Sequence, residues 1–164
     1  MMLGFNDAVT VILSHEGGYV NDPLDNGGET NFGISKKAYP GLDIKSLTKE
    51  NAKNIYHKDY WIPLKCPNLP FGVALVLFDF GVNAGRGAAV RAIQRAVSVK
   101  DDGIIGPQTI AAINKAHKND VIEKLTTERI AYYADLRGWE RYGRGWTRRS
   151  IETMSCALLM RDAL

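Results

Sequence analysis

Between Pro70 and Gly81 the chain is apolar almost without a break, and Asp79 is the only charged residue in it. The run falls well short of the roughly 20 apolar residues that a membrane span needs. Its ends carry proline and glycine, and the chain around it reads as helical. We therefore expect a buried central helix over Phe71–Phe80, breaking at Gly81 or just after, at Asn83-Ala84-Gly85. A chain of 164 residues can bury about 70% of the surface its unfolded form exposes, enough for a core without staples. With 45% apolar and 24% charged residues, the composition excludes collagen, low-complexity disorder and a disulfide scaffold. Cys66 and Cys156 lie far apart, and we read them as reduced, buried thiols.

Net charge is +3, unevenly placed. Residues 1–35 hold five acids and no Lys or Arg, a net of −5, which leaves +8 for the rest. Residues 137–149 carry five arginines against Glu140. A basic body beside an acidic segment suits an anionic polymer brought to a carboxylate site; it also suits nucleic acid, or a solvated face. Residues 1–15 lack the basic start and apolar core of a secretory signal, so we expect synthesis in the cytoplasm and no stable membrane insertion.

The remaining elements follow from caps and periodicity. Asn6 is a candidate cap for a helix over Asp7–Glu16, ended by Gly17-Gly18. Turn clusters then separate extended pieces at Tyr19-Val20 and Thr30–Ile34, which predict a small hairpin. Thr48 caps a helix that stops before Pro63. Arg86–Val99 reads as a helix, Gly106-Pro107 opens another, a longer one ends at Gly138, and Thr147 caps the last.

Glu16 is the most informative residue. Phe5, Val9, Ile12 and Glu16 share one helical stripe, and three of the four are core residues. Desolvation and the negative helix end both push a carboxyl there toward its protonated form. No Lys or Arg lies nearby in sequence to oppose this. A carboxylic acid kept protonated is what a general acid needs, as the lysozyme pattern illustrates. The plain alternative is a helix-end glutamate facing water. Asp25 follows nine residues later on a polar turn and should stay ionised. Thr30, five further on, is placed to orient a water. Glycosidic hydrolysis needs two such carboxyl functions flanking the bond; the plain alternatives are a turn residue and a strand residue.

His15-Glu16-Gly17-Gly18-Tyr19-Val20-Asn21-Asp22-Pro23, with Asp25, Gly27-Gly28-Glu29-Thr30 and Phe32-Gly33-Ile34, resembles the glycoside hydrolase family 108 muramidases, phage and prophage endolysins of the lysozyme superfamily. The resemblance implies that Glu16 is the catalytic acid. Asp22 competes with Asp25 as second carboxylate. Asp79 to Gly85 is similar to a cleft-lining helix end in related enzymes, which implies a structural Asp79; Asn83 suits an acetamido sugar or is a helix cap. Ala92–Ala96 with Asp102-Gly103-Ile104-Ile105-Gly106-Pro107-Gln108-Thr109 resembles the peptidoglycan-binding region of that family. Physically it is a turn and a helix start, and we favour that structural reading. Gly138-Trp139 and Gly145–Arg149 look like the closing segment of the family.

Taken together these imply a mostly α, lysozyme-like fold with a small β-hairpin at the active site. They imply a catalytic lobe over residues 1–98 and a peptidoglycan-binding-like lobe over 99–164 packed on it. Tyr19 is the aromatic best placed to stack on a sugar ring; Trp61 lines the cleft or the core. His15-Glu16 lacks a second histidine at zinc-protease spacing, so neither metal nor cofactor is implied. The expected function is hydrolysis of the β-1,4 bond between N-acetylmuramic acid and N-acetylglucosamine. Export would then need a holin-type partner. The alternatives are a lytic transglycosylase using Glu16 alone, a non-catalytic wall adhesin, and nucleic-acid binding through Arg137–Arg149, for which no reading motif is present.

Overall fold

A computed structural model describes residues 3–21 and 28–160. The elements run α1 (Phe5–His15), β1 (Thr30–Asn31), β2 (Ile34–Ser35), α2 (Lys49–Tyr56), a π-helical turn (His57–Trp61), a 3-10 turn (Cys66–Asn68), α3 (Phe71–Ala84), α4 (Arg86–Ala96), α5 (Pro107–Lys115), α6 (Lys118–Ala134) and α7 (Trp139–Met160). The protein is mostly α, with one two-stranded antiparallel hairpin among the described residues. No described helix is long and apolar enough to cross a membrane.

The apolar run is the centre of the molecule. α3 is buried from Gly72 to Gly81 and packs against α4, α6 and α7. Each fully buried Leu or Phe on it contributes about 1.5–3 kcal/mol. Two glycines set how closely its neighbours approach. A Cβ on Gly72 would lie 2.8 Å from the Ala157 carbonyl oxygen of α7, and one on Gly81 2.7 Å from Leu64 Cδ1. The run continues past Gly81 and stops at Gly85, which has φ 91°.

Local signals explain most boundaries, with three corrections. α1 starts two residues earlier than expected, capped by Gly4 rather than Asn6. The Gly4 N–H donates to Asp7 Oδ2 at 2.9 Å, a reach-back that satisfies an orphan donor. Thr48 caps α2 as predicted, its hydroxyl accepting from the Asn51 N–H. The hairpin pairs Thr30 with Ser35 and Asn31 with Ile34; Val20 joins it only through a single bridge to Thr30. The last helix is not capped by Thr147. α7 runs unbroken from Trp139 through Gly143 and Gly145. Gly143 serves packing there, because a Cβ would sit 2.6 Å from the Trp139 ring.

The segment 102–109 is organised by one buried amide. Gln94 Nε2 donates to Asp102 Oδ1 (2.9 Å), the Ile104 carbonyl (3.0 Å) and Thr109 Oγ1 (3.2 Å), and Gln94 Oε1 accepts from the Gly103 N–H (2.9 Å). The polar groups of this motif that bond to Gln94 are turned inward. They shape the turn before α5.

Candidate active site

The hairpin turn lies directly on the end of α1. Phe32 and Gly33, the two residues between the paired Asn31 and Ile34, have φ of 51° and 78°. Two positive φ values define the turn type whose twist matches a hairpin. Phe32 pays a strain that glycine would not, and its carbonyl is held by the Tyr56 hydroxyl at 2.7 Å. Gly33 has no room for a side chain. A Cβ there would lie 2.5 Å from Glu16 Oε2 and 2.6 Å from the Tyr56 hydroxyl. The turn backbone, the Tyr56 hydroxyl and the Glu16 carboxylate thus meet at one point. Burial, then the Glu16 charge, pushes the Tyr56 phenol far above its ordinary range, so it stays a donor.

Residues 1–35 hold no Lys or Arg, so nothing near Glu16 in sequence supplies a cation. Folding brings one in from a distant helix, so the lack of an opposing cation, on which the reading of Glu16 as an acid partly leaned, does not hold. Arg149 of α7 places Nη1 2.8 Å from Glu16 Oε1, with both side chains mostly buried. The same guanidinium gives Nη2 to Asp79 Oδ1 at 2.7 Å and Nε to the same oxygen at 3.2 Å. Asp79 is fully buried and also accepts from Arg129 Nη1 (2.7 Å) and Thr153 Oγ1 (3.0 Å). Burial alone would raise the Asp79 carboxyl, but Arg129 and Arg149 outweigh it and hold it down at about 2. Asp79 in turn raises Arg149 against the opposing effect of burial.

The network extends to the far end of α3. Arg129 Nε donates to the Tyr133 hydroxyl at 3.2 Å, and that hydroxyl donates to Asn83 Oδ1 at 2.5 Å. The guanidinium of Arg129 lies 5.5 Å from the Phe80 ring centre and 5.6 Å from that of Tyr133. These aromatic faces accommodate a cation whose Nη2 has no hydrogen-bond partner among the described residues. A second tie joins the ends of α1 and α7, with His15 Nδ1 3.7 Å from Glu152 Oε2.

The other expected site residues separate into groups. Asn83 is exposed in the last turn of α3, its oxygen taken by Tyr133. Thr30 exchanges both backbone hydrogen bonds with Val20 at 2.8 Å, joining the chain on either side of residues 22–27. Tyr19 is 40% exposed and its hydroxyl donates to Glu29 Oε1 at 2.8 Å. Asp22 and Asp25 lie outside the described residues. Trp61 belongs to the core. It is buried, with ring centres 5.7 Å from Phe5 and 5.3 Å from Phe78. The π-helical turn aims it inward.

Sequence reasoning missed Arg149, Arg129 and Tyr56 as neighbours of the site. A signal for Arg129 was available. It falls in register with Val121, Leu125 and Tyr133 at four-residue steps, on the buried stripe of α6. Asp79 in an apolar helix needs such a partner.

Residues 9–85 match the family model described as Glycosyl hydrolase 108, and residues 88–151 match the one described as Predicted Peptidoglycan domain. No curated protein matches the chain. Among solved structures, one titled "Structure of Brucella abortus SagA" is 36% identical, covers 98% of each chain and superposes with a TM-score of 0.89. The chain belongs to the glycosyl hydrolase 108 family. This member of the family has a mostly α, lysozyme-like fold and is a glycoside hydrolase acting on peptidoglycan. The Glu16–Arg149 pair joins its two matched regions, one residue in each.

Proposed function

We propose that the enzyme cleaves the β-1,4 bond between N-acetylmuramic acid and N-acetylglucosamine, with Glu16 as general acid to the leaving oxygen. The supporting observation is the setting of Glu16. Its carboxylate sits at a helix end, against the turn backbone at Gly33, with Arg149 on the other oxygen. Arg149 gives two of its three nitrogens to Asp79 and only Nη1 to Glu16. It is a positioning residue, itself fixed by the buried acid. Asp25 is our choice for the group that activates water or stabilises the oxocarbenium-like state, with Thr30 orienting that water. Tyr19 and Asn83 are our candidates for sugar contacts. We read the biological role as that of a phage or prophage endolysin, on the resemblance of the block from His15 to Ile34.

Glu16→Gln keeps the shape and removes the carboxyl group. We expect release of fragments from purified peptidoglycan to fall by about 10²–10⁴-fold, with an unchanged circular dichroism spectrum. Fragments from the unaltered enzyme, reduced with borohydride, should end in reduced N-acetylmuramic acid by mass. Anhydro ends would instead support transglycosylation by Glu16 alone, and near-full activity of the variant would overturn the assignment.

A further inference from the structure

One polar cavity lies beside the site and is used by nothing described above. It has a volume of about 390 Å³ and is walled by Tyr39, Lys58, Asp59, Tyr60, Gly85 and Arg86. Three of these stand on the π-helical turn, His57–Trp61. Such turns are rare and recur at functional sites, because the wider coil re-aims side chains. Here the turn sends Trp61 into the core and leaves Lys58, Asp59 and Tyr60 on the cavity wall.

Two neighbours tie the cavity wall to elements of the candidate site. The Tyr60 ring centre is 6.1 Å from that of Tyr56, whose hydroxyl holds the hairpin beside Glu16. Gly85 and Arg86 follow Asn83 at the α3–α4 junction. Its electrostatics are unbalanced. Asp59 accepts from the Tyr39 hydroxyl at 2.8 Å. Lys58 and Arg86 are exposed and form no ion pair among the described residues. Two cations against one carboxylate, with two tyrosines on the same wall, fit a ligand with a carboxylate and an extended, partly apolar body.

Peptidoglycan supplies that chemistry next to the scissile bond, in the short peptide carried by its muramic acid. We propose that this cavity receives the wall peptide, with a peptide carboxylate between Lys58 and Arg86 and the peptide chain lying against Tyr39 and Tyr60. The inference rests on the reading of peptidoglycan as substrate. It makes the cavity a specificity site that favours peptide-bearing over bare glycan.

Calorimetric titration tests this without any cleavage. The ligands are the wall disaccharide with its peptide and the same disaccharide without it. The unaltered enzyme should bind the peptide-bearing form about tenfold more tightly or better, as expected for charge-assisted bonds to a carboxylate. Lys58→Glu combined with Arg86→Glu should bind the two forms about equally, and Lys58→Arg with Arg86→Lys should retain the preference. Absence of a preference in the unaltered enzyme overturns the proposal. So does a preference that survives charge reversal, an equal loss of affinity for both ligands, or competition by inorganic phosphate as strong as by the peptide. Failure of the cleavage reading would appear separately, as intact glycan in the fragment assay with the binding difference still present.

Discussion

At the scale of single residues, the site is a set of close approaches that leave little tolerance. Gly33 is constrained twice, by a φ of 78° and by a Glu16 oxygen where a Cβ would be. Gly33→Ala should displace the Glu16 carboxylate and lower turnover by about 100-fold, the scale of an ångström-level misplacement. Its cost in stability should be only about 1–3 kcal/mol. Turnover on purified wall and the urea midpoint of the same variant check both halves. Arg149→Lys retains a charge but lacks the fork that serves Asp79 and Glu16 together. We expect kcat to fall by about 10–100-fold with KM little changed, together with a changed pH profile of kcat. Arg149→Met should add a stability loss of about 1–3 kcal/mol, because Asp79 loses its Arg149 hydrogen bonds while Arg129 still pairs with it. The candidacy of Glu16 was legible in sequence from the stripe Phe5, Val9, Ile12, Glu16. Its partner was not, because residue 149 lies on the last helix and nothing local marks it.

At the scale of elements, most boundaries were legible because they follow from local chemistry. The cap at Thr48, proline opening α5 and glycine closing α3 are each local effects of backbone geometry or one hydrogen bond. The misreadings arose where tertiary contact overrode local preference. Thr147 read as the cap of the last helix, yet α7 starts at Trp139 and runs through it, held along its length by packing on α3 and α6. The segment 102–109 shows the reverse case, a motif whose meaning lies in one distant amide. Gln94→Ala should leave the Gly103 N–H and its neighbours without partners, at about 1–3 kcal/mol. Hydrogen exchange at Gly103 should accelerate well beyond any change at α3 amides, which would localise the effect to this turn.

At the scale of the whole molecule, one core joins both matched regions, from Val9 of α1 to Tyr133 of α6. The buried Asp79 cluster links that core to the site and makes stability depend on acid. The Asp79 carboxyl is held at about 2, below its ordinary 3.8. A depressed carboxyl stabilises the fold above its unfolded value and loses that contribution as pH falls through its folded value. About 2–3 kcal/mol should therefore be present above about pH 4 and be lost progressively towards pH 2. Urea midpoints across that range should show the fall, and Asp79→Asn, less stable at neutral pH, should flatten it.

The sequence by itself determined the helical class, the buried central helix, the hairpin region and the candidacy of Glu16, because periodicity, caps and turn chemistry act over a few residues. Only the tertiary structure decided what faces Glu16. Arg149 is brought there from 133 residues away, since α7 packs on α3 at Gly72 and Asp79 fixes its guanidinium. Such a contact is set by the packing of whole helices, which no local pattern encodes.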